Sequence, residues 1–351
     1  MPSHAPPDPP PPAPATFRRA PADHAPRYLA TGLLLLAMGG GVLGWLAHGL
    51  TSPRLTLGDL LWNVVNPHHP VSADALTPLE WTFAVALLTV AALALRRRRA
   101  ARGGALLLAF LLLGLCLRQG VGALDERYRL GFETPTYGPW ALATYAVGLL
   151  VAVAVLALLL PRPERPAGRY QEDGEGRPPA LGAAGAVAGA ALIVLALVRI
   201  GWLLDNQRLA ARYDLRTWNE YFRELVDPSL SSSPVSLTGG SPYYEAALPV
   251  AMLLVGGLAC AGRPVARGAG LTLLGMLGYL QYRALAGVDV NDLDLYFDSG
   301  RGTLWLASAL GSALAVLAGL LALAGAGRGR PRDRAADPGW STRPGPPPFP
   351  R

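Results

Sequence analysis

Four charged side chains lie near the ends of long apolar runs, where they could form a site inside a membrane. Glu80 and Glu245 begin two such runs, and Arg118 and Arg283 come late in the runs that follow. Consecutive spans run antiparallel, so each glutamate would lie at the depth of the next arginine. Because a bare charge at that depth is costly, the sequence predicts two equivalent ion pairs, which act either as latches or as a site for an anion or lipid headgroup. The predicted pairs are Glu80 with Arg118 and Glu245 with Arg283.

The sequence contains no pattern typical of a catalytic, metal or cofactor site. Cys116 and Cys260 belong to no CxxC motif or Cys/His cluster, and the adjacent pair His68 and His69 has no counterpart in the second half. The acidic stretch 289–298 lacks the spacing and the glycine of an EF-hand loop. We therefore assign no catalytic residue and expect no metal and no cofactor.

The composition indicates a membrane protein. Apolar residues make up 51% of the chain and charged residues 16%, and the apolar residues form runs too long for a soluble core of this size. All 31 basic residues are arginine, which with the many alanines, glycines and prolines indicates a bacterium with a GC-rich genome. The net charge of +7 reflects membrane topology, since no nucleic-acid motif accompanies it. Nucleic acid is not an expected partner.

Eight apolar runs are each near the roughly 20 residues that a helix needs to cross a bilayer. The predicted spans are 28–50, 80–95, 103–124, 140–160, 181–204, 245–261, 268–286 and 304–324. Arginine-rich and arginine-poor loops alternate, and the positive-inside rule places the arginine-rich set in the cytoplasm, including both termini of this cell-membrane protein. The tails 1–27 and 326–351 are expected to be disordered, and 162–180 to be a cytoplasmic linker.

The second half of the chain repeats the first. At an offset of 165 residues Glu80 aligns with Glu245, Arg118 with Arg283 and Trp140 with Trp305, and Ala-Arg-Gly at 101–103 recurs at 266–268. With a smaller offset, Gly-Trp-Leu at 44–46 recurs at 201–203. A unit of four spans starts each copy on the same side of the membrane. The sequence therefore predicts an all-α integral membrane protein of two tandem four-helix repeats, 28–161 and 181–325, related by a pseudo-twofold axis along the membrane normal.

The loops after the third and seventh predicted spans have opposite charges. Arg127 and Arg129 in the first repeat align with Asp292 and Asp294 in the second. If these loops meet near the axis, the opposite charges would hold the two repeats together. The sequence predicts these four residues as inter-repeat charge pairs.

Each repeat has a long outer loop in which a short amphipathic helix is predicted. In the second repeat five apolar residues share one helical face: Leu215, Trp218, Tyr221, Phe222 and Leu225. Asp214 is placed to cap this helix, and Asp227 with Pro228 to end it. The first repeat has the same pattern from Leu57 to Val65. Such a helix is either a packed lid or a surface that faces a ligand or partner.

Three functions fit these features. A non-enzymatic envelope scaffold, assembly factor or binding protein, with its functional surface on the extracytoplasmic side, fits best, because elaborate outer loops occur without a catalytic constellation. An uncoupled transporter or lipid carrier is an alternative, since no mid-membrane Asp, Glu or Lys is present for ion coupling. A polyprenyl-linked transferase, which would use Asp59 or Asp214, is another. The expected partners are the lipid bilayer and an envelope protein or lipid on the outer face, and the oligomeric state is left open.

Overall fold

Helices make up most of the residues that the computed structural model describes, which are 20–49, 56–67, 78–133, 138–161, 182–230, 241–289, 291 and 293–325. The helices are α1 (Ala25–Gly49), α2 (Leu57–Val65), α3 (Pro78–Leu95), α4 (Ala100–Gly122), α5 (Glu126–Glu133), α6 (Gly138–Leu159), α7 (Gly182–Arg212), α8 (Trp218–Val226), α9 (Ser241–Cys260), α10 (Pro264–Ala286), α11 (Leu293–Phe297) and α12 (Gly300–Gly325). Short 3-10 turns occur at Ala22–His24 and Pro228–Leu230. The predicted linker, the C-terminal tail and most of the N-terminal tail lie outside the described residues.

Seven helices in the described part of the chain are long and apolar enough to cross a membrane. They are Ala22–Trp45, Pro78–Leu95, Ala100–Gly122, Gly138–Leu159, Gly182–Arg212, Tyr243–Cys260 and Gly300–Gly325. Large apolar side chains on them are exposed, such as Leu150 at 70% and Leu314 at 68%, and a bilayer would cover these surfaces. The chain is thus an all-α protein with the character of a multi-pass membrane protein.

The helix at the seventh predicted span, α10, is long enough to cross a bilayer but less apolar than the other seven. It packs against α3, α4, α9 and α12, so much of its surface faces protein. Its polar side chains find partners there. Arg267 donates from Nε and Nη2 to the Leu323 carbonyl oxygen at 3.1 and 2.7 Å, and Gln281 Nε2 donates to the Ala309 carbonyl oxygen at 2.8 Å. A helix surrounded in this way can hold polar groups that a lipid-facing helix cannot.

The two halves of the chain have the same helix order: long, short, long, long, short, long. α1 packs against α3 as α7 packs against α9, and α4 packs against α6 as α10 packs against α12. A tryptophan hydrogen bond is one example of this correspondence. Trp45 Nε1 donates to Thr144 Oγ1 at 3.0 Å, and Trp202 Nε1 donates to Ser308 Oγ at 2.9 Å. In each half, this bond joins the first and last long helices.

The halves meet where α4 and α10 touch backbone to backbone near their N-terminal ends. A Cβ atom on Gly103 would overlap the Val265 carbonyl oxygen, and one on Gly268 would overlap the Ala100 carbonyl oxygen. Only glycine permits such a close approach. A single apolar core draws on all eight long helices, so the contact lies within continuous packing.

The four short helices lie at one end of the bundle, which we call the short-helix end. The opposite end carries the α3–α4 turn with its arginines 96–99 and the α9–α10 turn. Seven of the eight tryptophans are at the short-helix end: Trp45, Trp62, Trp81, Trp140, Trp202, Trp218 and Trp305. The eighth, Trp340, lies outside the described residues. Tryptophan is enriched where a membrane meets water, so the short-helix end has the composition of a membrane interface.

Candidate functional site

The short helices α2 and α8 begin with the same capping arrangement. Thr217 Oγ1 accepts a hydrogen bond from the Glu220 backbone N–H at 3.2 Å, and Glu220 Oε2 accepts one from the Thr217 backbone N–H at 2.8 Å. Thr56 and Asp59 form the same box at the start of α2. Asp214 instead lies in the preceding turn with a φ of 53°. The prediction that Asp214 caps the helix was therefore wrong, because the Thr-x-x-Glu spacing provides a reciprocal cap three residues later.

Protonation of Glu220 is expected to loosen α8. The hydrogen bonds from Thr217 lower the pKa of the Glu220 carboxyl below its ordinary value of 4.5, because they stabilise its charged form. A carboxyl whose pKa is lowered by folding adds stability above its unfolded pKa, and this stability is lost as the pH falls through the folded value. A spin label at the exposed position Asn219 should therefore become more mobile below pH 4.5. In Glu220→Gln the response of the mobility to pH should be smaller than in the parent protein, and an unchanged pH response in that variant would contradict the assignment.

Both short helices expose an apolar ridge with one residue per turn. The ridges consist of Trp218, Phe222 and Val226 on α8, and Leu57, Leu61 and Val65 on α2. The rings of Trp218 and Phe222 stack with their centroids 6.1 Å apart. Of the other residues in the predicted apolar face, Tyr221 is buried, Leu225 is half-buried, and Leu215 lies before the helix and is 78% exposed. The predicted face is therefore split between a packed side and an exposed ridge.

The C-terminal end of α8 is attached to the opposite half of the chain. Arg118, near the end of α4, donates from Nε and Nη2 to the carbonyl oxygen of Glu224 at 3.2 and 2.8 Å. The last carbonyl groups of a helix have no partner within it and carry partial negative charge. A guanidinium at this position satisfies one of them. Arg118 therefore holds a helix end that belongs to the other half.

The C-terminal end of α2 is likewise attached to the opposite half of the chain. Tyr279 and Tyr282 on α10 donate from their hydroxyl groups to the carbonyl oxygens of Val64 and Val65, at 3.0 and 2.9 Å. These carbonyls are again at the end of a short helix. The first half thus binds α8 of the second half, and the second half binds α2 of the first.

The proline that follows each of α2 and α8 also contacts the other half of the chain. Pro228 contacts α4 at Gly122, where an added Cβ would overlap the proline ring. Pro67 lies beside Gly287 at the end of α10, with its Cγ 3.6 Å from the position of a Cβ. The two prolines are the last residues of the aligned sequences Val-Asn-Pro and Val-Asp-Pro. The two glycines align at the offset of 165. The contacts therefore involve equivalent positions on both sides.

The two residues of the first predicted ion pair, Glu80 and Arg118, are both buried. Glu80 is 4% exposed and Arg118 is 3% exposed. Glu80 lines a small cavity together with Tyr145 and Tyr244, between α3, α6 and α9. Sequence reasoning did not anticipate the Glu224 carbonyl as an acceptor for Arg118, because a backbone group leaves no signal in the sequence. The direct pairing of Glu80 with Arg118 stays a prediction.

The two residues of the second predicted pair, Glu245 and Arg283, lie in surroundings that differ from those of the first pair. Glu245 is exposed, and its charge acts on Arg199 and Tyr221. Nη1 of Arg283 is buried and has no hydrogen-bond partner among the described residues. The part of the chain that the structure describes contains no ion pair between Glu245 and Arg283. The two aligned arginines are therefore in different environments.

The predicted inter-repeat charges are at the short-helix end, on or beside α5 and α11. Arg127, Arg129 and Asp294 are exposed, and Asp292 lies outside the described residues. No ion pair joins the three described residues to one another. The halves meet mainly where α10 packs against α3 and α4, and where each half binds α2 or α8 of the other.

A cavity of about 310 Å³ opens at the short-helix end of the second half. It is lined by Trp202, Asn206, Tyr296, Ser299, Arg301, Gly302 and Trp305. Arg301 Nη2 lies 3.0 Å from Asp205 Oδ2 and donates to Asn206 Oδ1 at 2.7 Å. The Tyr296 and Trp305 rings stack at 5.6 Å with their planes 29° apart. Sequence reasoning missed this cavity, although the pairing of Trp305 with the aligned Trp140 marked one of its walls.

Within the described residues no group of three or more His, Cys, Asp or Glu side chains could hold a metal ion. At the short-helix end, Arg118 binds the end of α8, and the Arg301 cavity is open and lined by hydrogen-bonding groups suited to a ligand. No protein-family model, no curated protein and no solved structure matches the chain.

Proposed function

We propose that the chain is an eight-span protein of the cell membrane, formed by tandem duplication of a four-helix unit. The common helix order of the two halves supports this, and α10 would supply the eighth span. At the offset of 165, Gly103 corresponds to Gly268 and Ala100 to Val265, and the contacts among these four residues are reciprocal. A twofold axis produces self-complementary contacts of this kind. The proposed pseudo-twofold axis passes between α4 and α10 along the membrane normal.

Hydrogen bonds at nearly equivalent positions support the same relation. Arg102 Nη2 donates to the Leu159 carbonyl oxygen at 2.9 Å, and the aligned Arg267 donates to the Leu323 carbonyl oxygen. In each half an arginine near the start of the third long helix is bound to the end of the fourth. Arginines at this end, together with tryptophans at the other, support a cytoplasmic location for both termini and an extracytoplasmic short-helix end.

Within this topology we propose a non-enzymatic scaffold, assembly or binding protein whose functional surface is the short-helix end. The crosswise attachment of α2 and α8 carries the proposal. It fixes two exposed apolar ridges relative to the spans and to each other. A scaffold that holds an apolar partner at the outer leaflet requires such fixed surfaces.

The two alternatives have weaker support. A transporter or lipid carrier would require a path or groove between the halves, and the glycine contact of α4 with α10 leaves no room at that level of the axis. A transferase would use Asp59 or Asp214, and Asp59 is engaged in the cap of α2 while Asp214 lies in an exposed turn. Both observations favour a scaffold.

The test is to release α8 and measure what the protein retains. Gly122→Ala places a methyl group against Pro228, whereas Gly120→Ala on the same helix meets no atom within 4 Å and is the matched control. Wild type and both variants are extracted from cell membranes directly into lipid nanodiscs, and the retained lipids and proteins are quantified by mass spectrometry. We expect a stoichiometric partner with wild type and Gly120→Ala, and about tenfold less of it with Gly122→Ala.

Equal retention by all three proteins would contradict the placement of the functional surface at α8. If wild type retains no stoichiometric partner, and liposomes containing it move a fluorescent phospholipid between leaflets faster than empty liposomes do, the carrier function replaces the scaffold function.

A further inference from the structure

We propose that the cavity at the short-helix end of the second half binds a neutral sugar ring. Its volume of about 310 Å³ is at the lower end of the range of small-molecule sites. None of its lining residues belongs to α2 or α8. The cavity is therefore separate from the two apolar ridges.

Aromatic rings form the apolar wall of the cavity. Tyr296 and Trp305 stack on each other, and Trp202 is fixed by the hydrogen bond from its indole nitrogen to Ser308. Rings held in this way provide flat, rigid surfaces with little entropy to lose on binding. One face of a sugar ring consists mainly of C–H groups, which pack well on such a surface.

Hydrogen-bonding groups line the cavity beside these rings. Both contacts of Arg301 with Asp205 and Asn206 are made by Nη2, so Nε and Nη1 have no protein partner among the described residues. A guanidinium has five N–H donors in a fixed plane, and the amide of Asn206 and the hydroxyl of Ser299, which also line the cavity, add donors and acceptors. Such a set matches neighbouring hydroxyl groups, each of which both donates and accepts.

The charges of the cavity disfavour an ionic ligand. Arg301 and Asp205 neutralise each other, so neither a cation nor an anion would meet an uncompensated opposite charge. The Arg301 guanidinium also lies over the Trp202 ring, 5.9 Å from its centroid, and occupies the face that a quaternary ammonium group would use. A neutral polyhydroxyl ligand is compatible with both the aromatic rings and the hydrogen-bonding groups of the cavity.

The cavity depends on residues that only the second half has. At the offset of 165, Tyr296 corresponds to Gly131 and Arg301 to Thr136, whereas Trp305 corresponds to Trp140. Trp140 is 72% exposed in the first half. The first half therefore offers a matched control, a tryptophan at the aligned position in a half that lacks counterparts of Tyr296 and Arg301.

The proposal is tested by binding to the full chain in nanodiscs. The soluble probes are maltose, cellobiose, mannobiose and chitobiose, and the lipid probe is diglucosyl diacylglycerol incorporated into the nanodisc, each followed by tryptophan fluorescence. We expect at least one probe to bind to wild type and to Trp140→Ala alike, and about tenfold more weakly to Trp305→Ala and to Arg301→Gln. Binding of a soluble disaccharide would identify a free glycan as the source, and binding of the glycolipid alone would identify a lipid headgroup.

A conservative variant separates loss of binding from loss of folding. Trp305→Phe keeps an aromatic wall and should bind within about threefold of wild type even if Trp305→Ala does not fold. Absence of binding by every sugar probe would overturn the proposal. Tighter binding of choline or inorganic phosphate than of any sugar would overturn it too, as would equal weakening by Trp140→Ala and Trp305→Ala.

Discussion

Replacing Gly103 with alanine is expected to lower the free energy of unfolding by about 3 kcal/mol, because the added methyl group meets backbone atoms that cannot move aside. The new Cβ would overlap the Val265 carbonyl oxygen and lie 2.6 Å from the Ala269 nitrogen. α4 and α10 would have to separate, and the apolar core that continues across them would open. The measurement is the temperature at which the purified protein in detergent loses its monodisperse size-exclusion peak, which should fall by several degrees.

Two other glycines on the same helices provide controls, because their replacement with alanine is not expected to lower the stability of the protein. Gly120 on α4 and Gly275 on α10 have no atom within 4 Å of an added Cβ. Alanine is a better helix former than glycine by about 1 kcal/mol, so these two variants should be as stable as wild type or more stable. Gly268→Ala should lose as much stability as Gly103→Ala, because the contact is reciprocal. A Gly103→Ala protein as stable as Gly120→Ala would show that the helices are not in backbone contact.

Replacing Arg118 with leucine is expected to release the C-terminal end of α8. The two hydrogen bonds to the Glu224 carbonyl come from a charged donor that is 3% exposed. Bonds of this kind contribute about 1.5 to 3 kcal/mol, so we expect a loss of about 2 kcal/mol in stability and at least a tenfold increase in the opening of α8. Hydrogen exchange of the amides in 218–226, followed by mass spectrometry, measures that opening directly.

The aligned Arg283 is the control for Arg118. Its Nη1 is buried without a partner among the described residues, so Arg283→Leu should cost less stability and leave hydrogen exchange in α8 unchanged. Arg118→Lys keeps the charge but carries its N–H donors on a single nitrogen, and should restore part of the protection of α8. Equal losses in both leucine variants would instead favour two equivalent pairs with Glu80 and Glu245.

Local features of this fold could be predicted from the sequence, because the length and period of apolar runs determine where helices form. The short helix of the second half was expected from Leu215 onwards, and it begins at Trp218 because Thr217 and Glu220 form the capping box. The seventh predicted span is a helix, α10, but its glycines and its polar side chains lower its hydropathy. Packing against four other helices compensates, and a one-dimensional hydropathy profile does not contain that information.

Contacts between distant parts of the chain could not be predicted in the same way. Arg118 and the Glu224 carbonyl are 106 residues apart, and a backbone acceptor has no distinctive residue type. The cavity joins Asn206 to Arg301 across 95 residues. The alignment of the two halves also suggested symmetry where the environments differ, as at Arg118 and Arg283. Side chains at aligned positions share a location but not necessarily their partners.

Under the proposed duplication, the crosswise attachment of α2 and α8 bears on the ancestor of this chain. Arg118 and Gly122 of the first half hold α8, and Tyr279 of the second half holds α2. In each half the C-terminal end of the short helix is bound by the other half, whereas Gln207 of the second half donates to the Arg216 and Thr217 carbonyl oxygens just before α8. An ancestor of one unit would have needed a second copy of itself to bind that end of the helix, which describes a homodimer with a swapped element. Gene fusion would then have preserved the swap within one chain and freed each copy to diverge, as the cavity in the second half illustrates.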